Sequence, residues 1–307
     1  MLAFLLKRKR FLFSFLFLIF LFTWSVLHGD EVRDVRFEVD DQGNILSRPP
    51  YPPFTVFLLG SDQYGNDLGG MMLVGAKWTI GITFLVAIVR MLLSLILSAF
   101  VFSLPRKLFD VVKTIFEPFS VVPQTIIAYF ILYSVLWMPL RGFEHPFWER
   151  AVFQTFILII IAIPNLTMHL AAEMRQVSKE PFIEPTKTLG ASKLYIFLKH
   201  IIPHVYEKWI LLFGQQFLQT LLLLAHLGFL ELFFGGTNVP YRSATPEPPR
   251  SVSYEWSGVI GINSIYLNIH QWIILVPMIF FIVTSISAAF INGSIKAYIQ
   301  KRTMIEK

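Results

Sequence analysis

The sequence predicts an all-α protein that crosses a membrane six times, with both termini cytoplasmic. Three observations lead there. Of 307 residues, 55% are hydrophobic and 15% charged, too little polar surface for a soluble domain of this length. Six stretches, near 11–27, 75–103, 112–137, 151–172, 208–230 and 271–293, are apolar over the length of about 20 residues that a spanning helix needs. The loops between them alternate in charge. Basic residues gather at 7–10, 106–113, 175–208 and 296–307, whereas 28–73 sets Arg33, Arg36 and Arg48 against eight carboxylates. Loops rich in Lys and Arg stay on the cytoplasmic side. The formal charge of +6 is therefore a topology signal and not a nucleic-acid patch. Cysteine is absent, which excludes disulfides, thiolate metal sites and cysteine nucleophiles.

Each element follows in order. The first apolar run comes after Lys7-Arg8-Lys9-Arg10; it is long for a secretory signal and lacks a cleavage pattern after Trp24, so it reads as a retained anchor. Residues 28–57 are polar and then Pro-rich (Pro49-Pro50-Tyr51-Pro52-Pro53), which predicts an extended external segment. Leu59-Gly60-Ser61-Asp62-Gln63-Tyr64-Gly65-Asn66-Asp67 is a turn cluster, and Asp67 is placed to cap the helix after it. Pro164, in the fourth apolar run, predicts a kink. Asn238 to Arg250 carries four prolines and reads as an external loop. The resulting division is 1–30, a basic terminus and first helix; 31–72, an external segment; and 73–307, a helical core with a cytoplasmic loop at 173–207 and an external loop at 231–270.

The cytoplasmic loop contains Glu184-Pro-Thr-Lys-Thr-Leu-Gly190-Ala-Ser-Lys-Leu-Tyr-Ile-Phe-Leu-Lys-His-Ile-Ile-Pro203. Leu189-Gly190-Ala191-Ser192 can turn the chain sharply, because Gly tolerates positive φ and Ser192 can cap a new helix. Leu194, Ile196, Phe197, His200 and Ile201 then form an apolar stripe at helical spacing, and Pro203 is expected to close that helix. A proline inside a helix costs about 3 kcal/mol. The helix carrying Pro185 is therefore expected to begin at or just before it.

With Glu184, Gly190, Phe197 and Pro203 at family spacing, this loop resembles the "EAA" loop of ABC-importer permeases. Pro185 and Thr186 stand where that family has small residues. Gly60, Asp62, Gly65 and Asp67 are similar to the Leu-Gly-Thr-Asp-x-x-Gly-Arg-Asp motif of the dipeptide/oligopeptide/nickel branch, with Asn66 in place of Arg; Leu73-Val74-Gly75-Ala76-Lys77 continues that pattern. Glu255-Trp256-Ser257-Gly258 loosely resembles the branch's Ser-Trp-Gly element. The resemblance runs from about 57 to 293 and implies a lead helix plus a five-helix permease core in the cell membrane. It also implies two short helices at a right angle in the loop, the first (about 181–189) docked in an ATPase. The implied partners are cytoplasmic ABC ATPases, a second related permease and an extracytoplasmic substrate-binding protein. The implied activity is import of a peptide or related small solute without a cofactor. The departures at Pro185, Thr186 and Asn66 leave a second reading, an assembly or sensory subunit that keeps the fold and has lost transport.

Several polar residues lie inside the apolar runs. Thr83, Arg90, Ser94 and Ser98 share one helical face, which is expected to point into the bundle. Arg90 either pairs with a carboxylate such as Glu117 or lines a solute path. Gln215, Gln219 and His226 form a similar stripe, read as helix–helix glue or as solute contact. His169 and Asn165 fit a helix interface. His200, His204 and His270 lack metal-ligand spacing. No phosphate-binding loop, His-Glu-x-x-His or Gly-x-Ser-x-Gly occurs, so an enzyme is a poor fit.

Overall fold

The apolar runs are helices in the computed structural model, which describes residues 2–29, 31–40, 42, 44–241 and 247–305. A short α1 (Leu2–Leu6) precedes α2 (Lys9–His28). The external segment that follows is not simply extended. A two-stranded antiparallel ribbon, β1 (Glu38–Val39) and β2 (Ile45–Ser47), closes within it. Then comes α3 (Leu68–Ser103), 36 residues or about 54 Å long, more than the ~30 Å hydrocarbon core requires. Asp67 caps it, accepting from Gly69 N at 2.9 Å. The capped helix begins at Leu68 and runs unbroken into the expected second span.

The third expected span is broken by Pro118 and Pro123. It becomes α4 (Arg106–Phe116), α5 (Pro118–Val121) and α6 (Gln124–Leu136). At 13 residues, α6 is about 20 Å long, shorter than the hydrocarbon core. The fourth span divides into α7 (Phe147–Ile160) and α8 (Ile163–Val177), interrupted just ahead of Pro164. After the loop helix α9 (Glu184–Thr188), α10 (Lys193–Ile196) runs through a π turn at Phe197–Ile201 into α11 (Ile202–Phe229). Beyond it lie β3 (Thr237–Asn238) paired with β4 (Arg250–Ser251), then α12 (Trp256–Asn263) and α13 (Trp272–Ile305). Residues 242–246 of the Pro-rich loop lie outside the described residues. Among the described residues, five helices are long and apolar enough to cross a membrane: Lys9–His28, Leu68–Ser103, Phe147–Val177, Lys193–Phe229 and Trp272–Arg302.

Helix α3 is the centre of the bundle and packs on α2, α8 and α11. One core cluster joins Val86 of α3 to Leu132, Leu158 and Leu224; another joins Met72 and Ala76 to Leu21, Trp256 and Val259. Small residues set the closest crossings. A Cβ on Gly75 would stand 2.0 Å from the Tyr254 carbonyl, and one on Gly261 would stand 2.0 Å from the Gly228 carbonyl. Trp256, fully buried, then donates from its indole N–H to Met72 O at 2.9 Å and from its backbone N–H to Thr79 Oγ1 at 3.0 Å. Outward positions such as Phe13, Ile96, Phe130 and Ile279 are exposed apolar side chains, as expected where the solvent is lipid.

Candidate functional site: the loop, the buried arginine and the polar stripe

Between α8 and α11 the chain turns through Pro181–Ile183, a 3₁₀ turn, into α9. Pro185 is the second residue of α9, as the cost of an interior proline predicts. Its missing N–H leaves nothing unpaired, because Glu184 N already donates to Pro181 O, the carbonyl an N–H at 185 would have used. Leu189 N returns to Pro185 O at 3.1 Å and Ala191 N to Thr186 O at 3.3 Å. Gly190 then takes φ +80° with no atom near its absent Cβ, so the position asks for backbone freedom and not for space. Ser192 caps the next helix, accepting from Tyr195 N at 3.2 Å.

Two expectations about this loop need correction. Pro203 does not close the helix. In the π turn Ile202 N reaches back five residues to Phe197 O, and this wider register lets the helix pass through a residue with no N–H to give. The apolar stripe is also narrower than read: Ile196 and Ile201 are buried with Ile183 and Val205, whereas Leu194 is exposed. The loop's apex is open. Leu189 is 87% exposed, Glu184, Pro185, Gly190 and Ser192 are exposed, and Thr186, Ala191 and Phe197 are half-buried.

Arg90, Ser94 and Ser98 lie fully buried inside the bundle, with Thr83. Arg90 does not pair with Glu117, which is exposed at the end of α4. Its Nε donates to Leu158 O at 2.9 Å and its Nη2 to the same oxygen; Nη1 reaches Thr220 Oγ1 at 3.1 Å and Gln216 Oε1 at 3.5 Å. The Leu158 carbonyl is free because the helix breaks there: Ala162 N turns to Ile159 O in place of Leu158 O. The guanidinium thus occupies the acceptor that the α7–α8 kink releases, and it joins α3, α7 and α11.

Gln215, Gln219 and His226 occupy an exposed face of α11, and of the three only His226 is hydrogen-bonded to another helix, α6, among the described residues. Gln219 accepts from Gln216 Nε2 at 2.9 Å, and His226 Nδ1 lies 3.1 Å from Thr125 Oγ1. The glue inside the bundle comes instead from Gln216 and Thr220, one residue round the helix from the stripe that sequence spacing picked out.

At the other end of the bundle, Asp62 accepts from Tyr64 N and Asn66 N, both at 2.9 Å, and from Asn66 Nδ2 at 2.8 Å. Asn66 therefore serves this turn with its amide where the branch motif has Arg. Gly60 and Gly65 take φ +80° and +88° with backbone carbonyls packed against them, and Trp272 Nε1 ties Ser61 O to α13 at 3.2 Å. Burial pushes the Asp62 carboxyl up, against hydrogen bonds from Asn66, Tyr64 and Gly65 that lower it. In the sequence Glu255 stood out only as the first residue of the loosely matching Glu255-Trp256-Ser257-Gly258. It is fully buried, accepting from Ser251 Oγ at 2.5 Å, Ser253 Oγ at 2.6 Å and Phe234 N at 3.1 Å.

A family model described as "binding-protein-dependent transport system inner membrane component" matches residues 91–304, which take in Arg90's neighbours, the loop, α11 and α13. The chain is similar to the peptide transport system permease protein SapC of Escherichia coli O6:H1 and to SapC of Salmonella typhimurium. Each is 21% identical over 221 residues, 72% of this chain and 66% of SapC. A Brucella suis protein named for a peptide transport system permease is 21% identical over 260 residues, 83% of this chain and 77% of its own length. The chain thus spans just under two thirds of the SapC proteins it matches. A match over this much of the chain is decisive: the protein belongs to the binding-protein-dependent transport system inner membrane components, a family of multi-pass membrane permeases.

Proposed function

We propose that the chain is the permease subunit of an ATP-driven importer of peptides or related small solutes. Its partners are a second related permease, cytoplasmic ABC ATPases and an external substrate-binding protein. Both termini and the 173–207 loop face the cytoplasm, following the basic loops. The relatives named for peptide transport support the substrate class.

The loop apex carries the proposal. Leu189, outside the apolar span, is 87% exposed, and Phe182 and Leu194 of the same loop are exposed too, so the loop offers several apolar side chains to a partner. Ile183 holds the turn on one side and Ile196 on the other, in one buried cluster with Met174 and Val205. A push on the apex therefore reaches α8 and α11 directly. Alternating access follows if ATPase closure favours one of two bundle arrangements.

Reconstitution of the chain with its ATPases, second permease and binding protein tests this. Leu189→Asp is expected to weaken ATPase docking by about 2 kcal/mol, as loss of a central apolar contact does, and to abolish uptake while leaving the chain folded. Undiminished uptake by that variant would overturn the assignment of the loop. Assembly without uptake by the unmodified chain would identify a subunit that keeps the fold and has lost transport.

A further inference from the structure

A second feature near the loop has no role in coupling as described. Between the end of α3, the start of α4, the end of α8 and α10 lies a cavity of about 1080 Å³, at the upper limit of the roughly 300–1,000 Å³ usual for small-ligand sites. Arg106, Arg175, Lys179 and Lys193 line it against one carboxylate, Asp110. Among the described residues none of these four cations forms an ion pair. Arg175 is fixed at the wall: its Nη2 donates to Leu104 O and its guanidinium lies 3.7 Å from the centroid of the Phe109 ring. Its Nε is buried with no acceptor among the described residues. Four cations against the one carboxylate of Asp110 leave an excess of positive charge in the cavity, which attracts an anion.

The surroundings say which anion. Leu92, Ile96, Ala99 and Ser103 are spaced by four, three and four along α3, so they form one stripe that ends in the cavity. Leu92 and Ile96 are exposed along that apolar span. On the other side α4 presents Leu108, Val111 and Ile115, all exposed, at spacings of three and four. That is the pattern of a helix lying in the membrane interface. An apolar path from the bilayer thus leads into a basic cavity at a helix end, the arrangement by which membrane proteins hold charged lipid headgroups.

We propose that this cavity binds the phosphate-bearing headgroup of an anionic phospholipid, with its acyl chains along the Leu92–Ile96 stripe. The site adjoins α10 and Ile201, so an occupied cavity braces the base of the coupling loop against α3 and α4. The inference rests on charge, cavity and the exposed apolar stripe, and it holds whatever the solute is.

The full-length chain in its assembled complex, stripped of lipid in detergent, is titrated with phosphatidylglycerol or phosphatidylcholine, and retained lipid is counted by native mass spectrometry. Phosphatidylglycerol is expected to be retained preferentially. Arg106→Gln and Lys193→Gln, both at exposed positions, are each expected to weaken that retention about fivefold, the value of one basic residue at a membrane surface. Lys296→Gln, on α13 and away from the cavity, is expected to leave it unchanged. Equal retention of the two lipids, or equal loss in all three variants, overturns the proposal. Full displacement by millimolar inorganic phosphate would mean a free-anion site. Unchanged lipid with lost ATPase co-purification in Arg106→Gln would mean a partner's dock. Either result also overturns it.

Discussion

Arg90 is held by acceptors and not by a counter-ion, so its charge remains available to the backbone around it. Removing it leaves the Leu158 carbonyl at the α7–α8 break with no donor, at a cost of about 1–3 kcal/mol for an unpaired buried group. Arg90→Leu is therefore expected to lower the thermal midpoint of the detergent-solubilised chain. Arg90→Lys is expected to recover only part of it, since one ammonium cannot reach both Leu158 O and Thr220 as the guanidinium fork does. A midpoint unchanged in Arg90→Leu would show that the kink holds without this latch. Glu255 permits a different test. Burial pushes its carboxyl up, so the folded chain keeps its proton at pH values where the unfolded chain has lost it. Stability contributed by this group is highest below the ordinary glutamate value of about 4.3 and falls as pH rises from there toward the raised value. Asp62 acts in the same direction. Glu255→Gln is expected to flatten the decline of thermal midpoint with pH relative to the unmodified chain; parallel pH curves for the two would remove Glu255 as its source.

The helices meet where side chains are smallest, and this decides what a sequence can reveal about them. Gly75→Ala puts a methyl 2.0 Å from the Tyr254 carbonyl, with no flexible side chain to yield. It is expected to cost about 1–3 kcal/mol, the usual price of overpacking, read as a lower unfolding midpoint with α12 displaced from α3. An equally stable Gly75→Ala would mean that the 253–256 backbone shifts freely. Gly75 was legible as part of a motif, but its partner was not: Tyr254 lies far along the chain, and only the fold brings it there. The same limit hid Gln216 from Arg90, 126 residues away. Spans were legible because long apolar runs admit few alternatives in lipid. Their ends were less so. Leu68–Val74 continues the second helix through Gly69 and Gly70 because Asp67 caps it earlier, and α10 joins α11 because a π turn absorbs Pro203. Pro118 and Pro123 were visible yet unused, and they break the third expected span into α4, α5 and the short α6. In the loop, the Pro185 boundary and the Ser192 cap followed from local rules, which act within a few residues.

At the scale of the whole molecule, one exposed face of α11 is polar, with Gln215, Gln219 and His226 alternating with Leu222 and Phe229. Amides left toward lipid would stay unsatisfied, at a cost of several kcal/mol each. Such a face belongs against water or a second subunit. If two permeases enclose the solute between them, this is the wall each presents. The chain has no native cysteine, so single thiols can be introduced without a background. In assembled complexes in lipid, Gln215→Cys, Gln219→Cys and His226→Cys are expected to react with a membrane-impermeant maleimide, because the reactive thiolate forms only where water reaches it. Ile96→Cys and Phe130→Cys, whose side chains are exposed on other apolar faces, are expected to stay unlabelled. Solute should slow labelling on α11 if that face lines the path. Labelling indifferent to solute, with cross-linking between two permeases at the same positions, would make it the seam between subunits. Silence at all three α11 positions would place the face in lipid and remove it from either role.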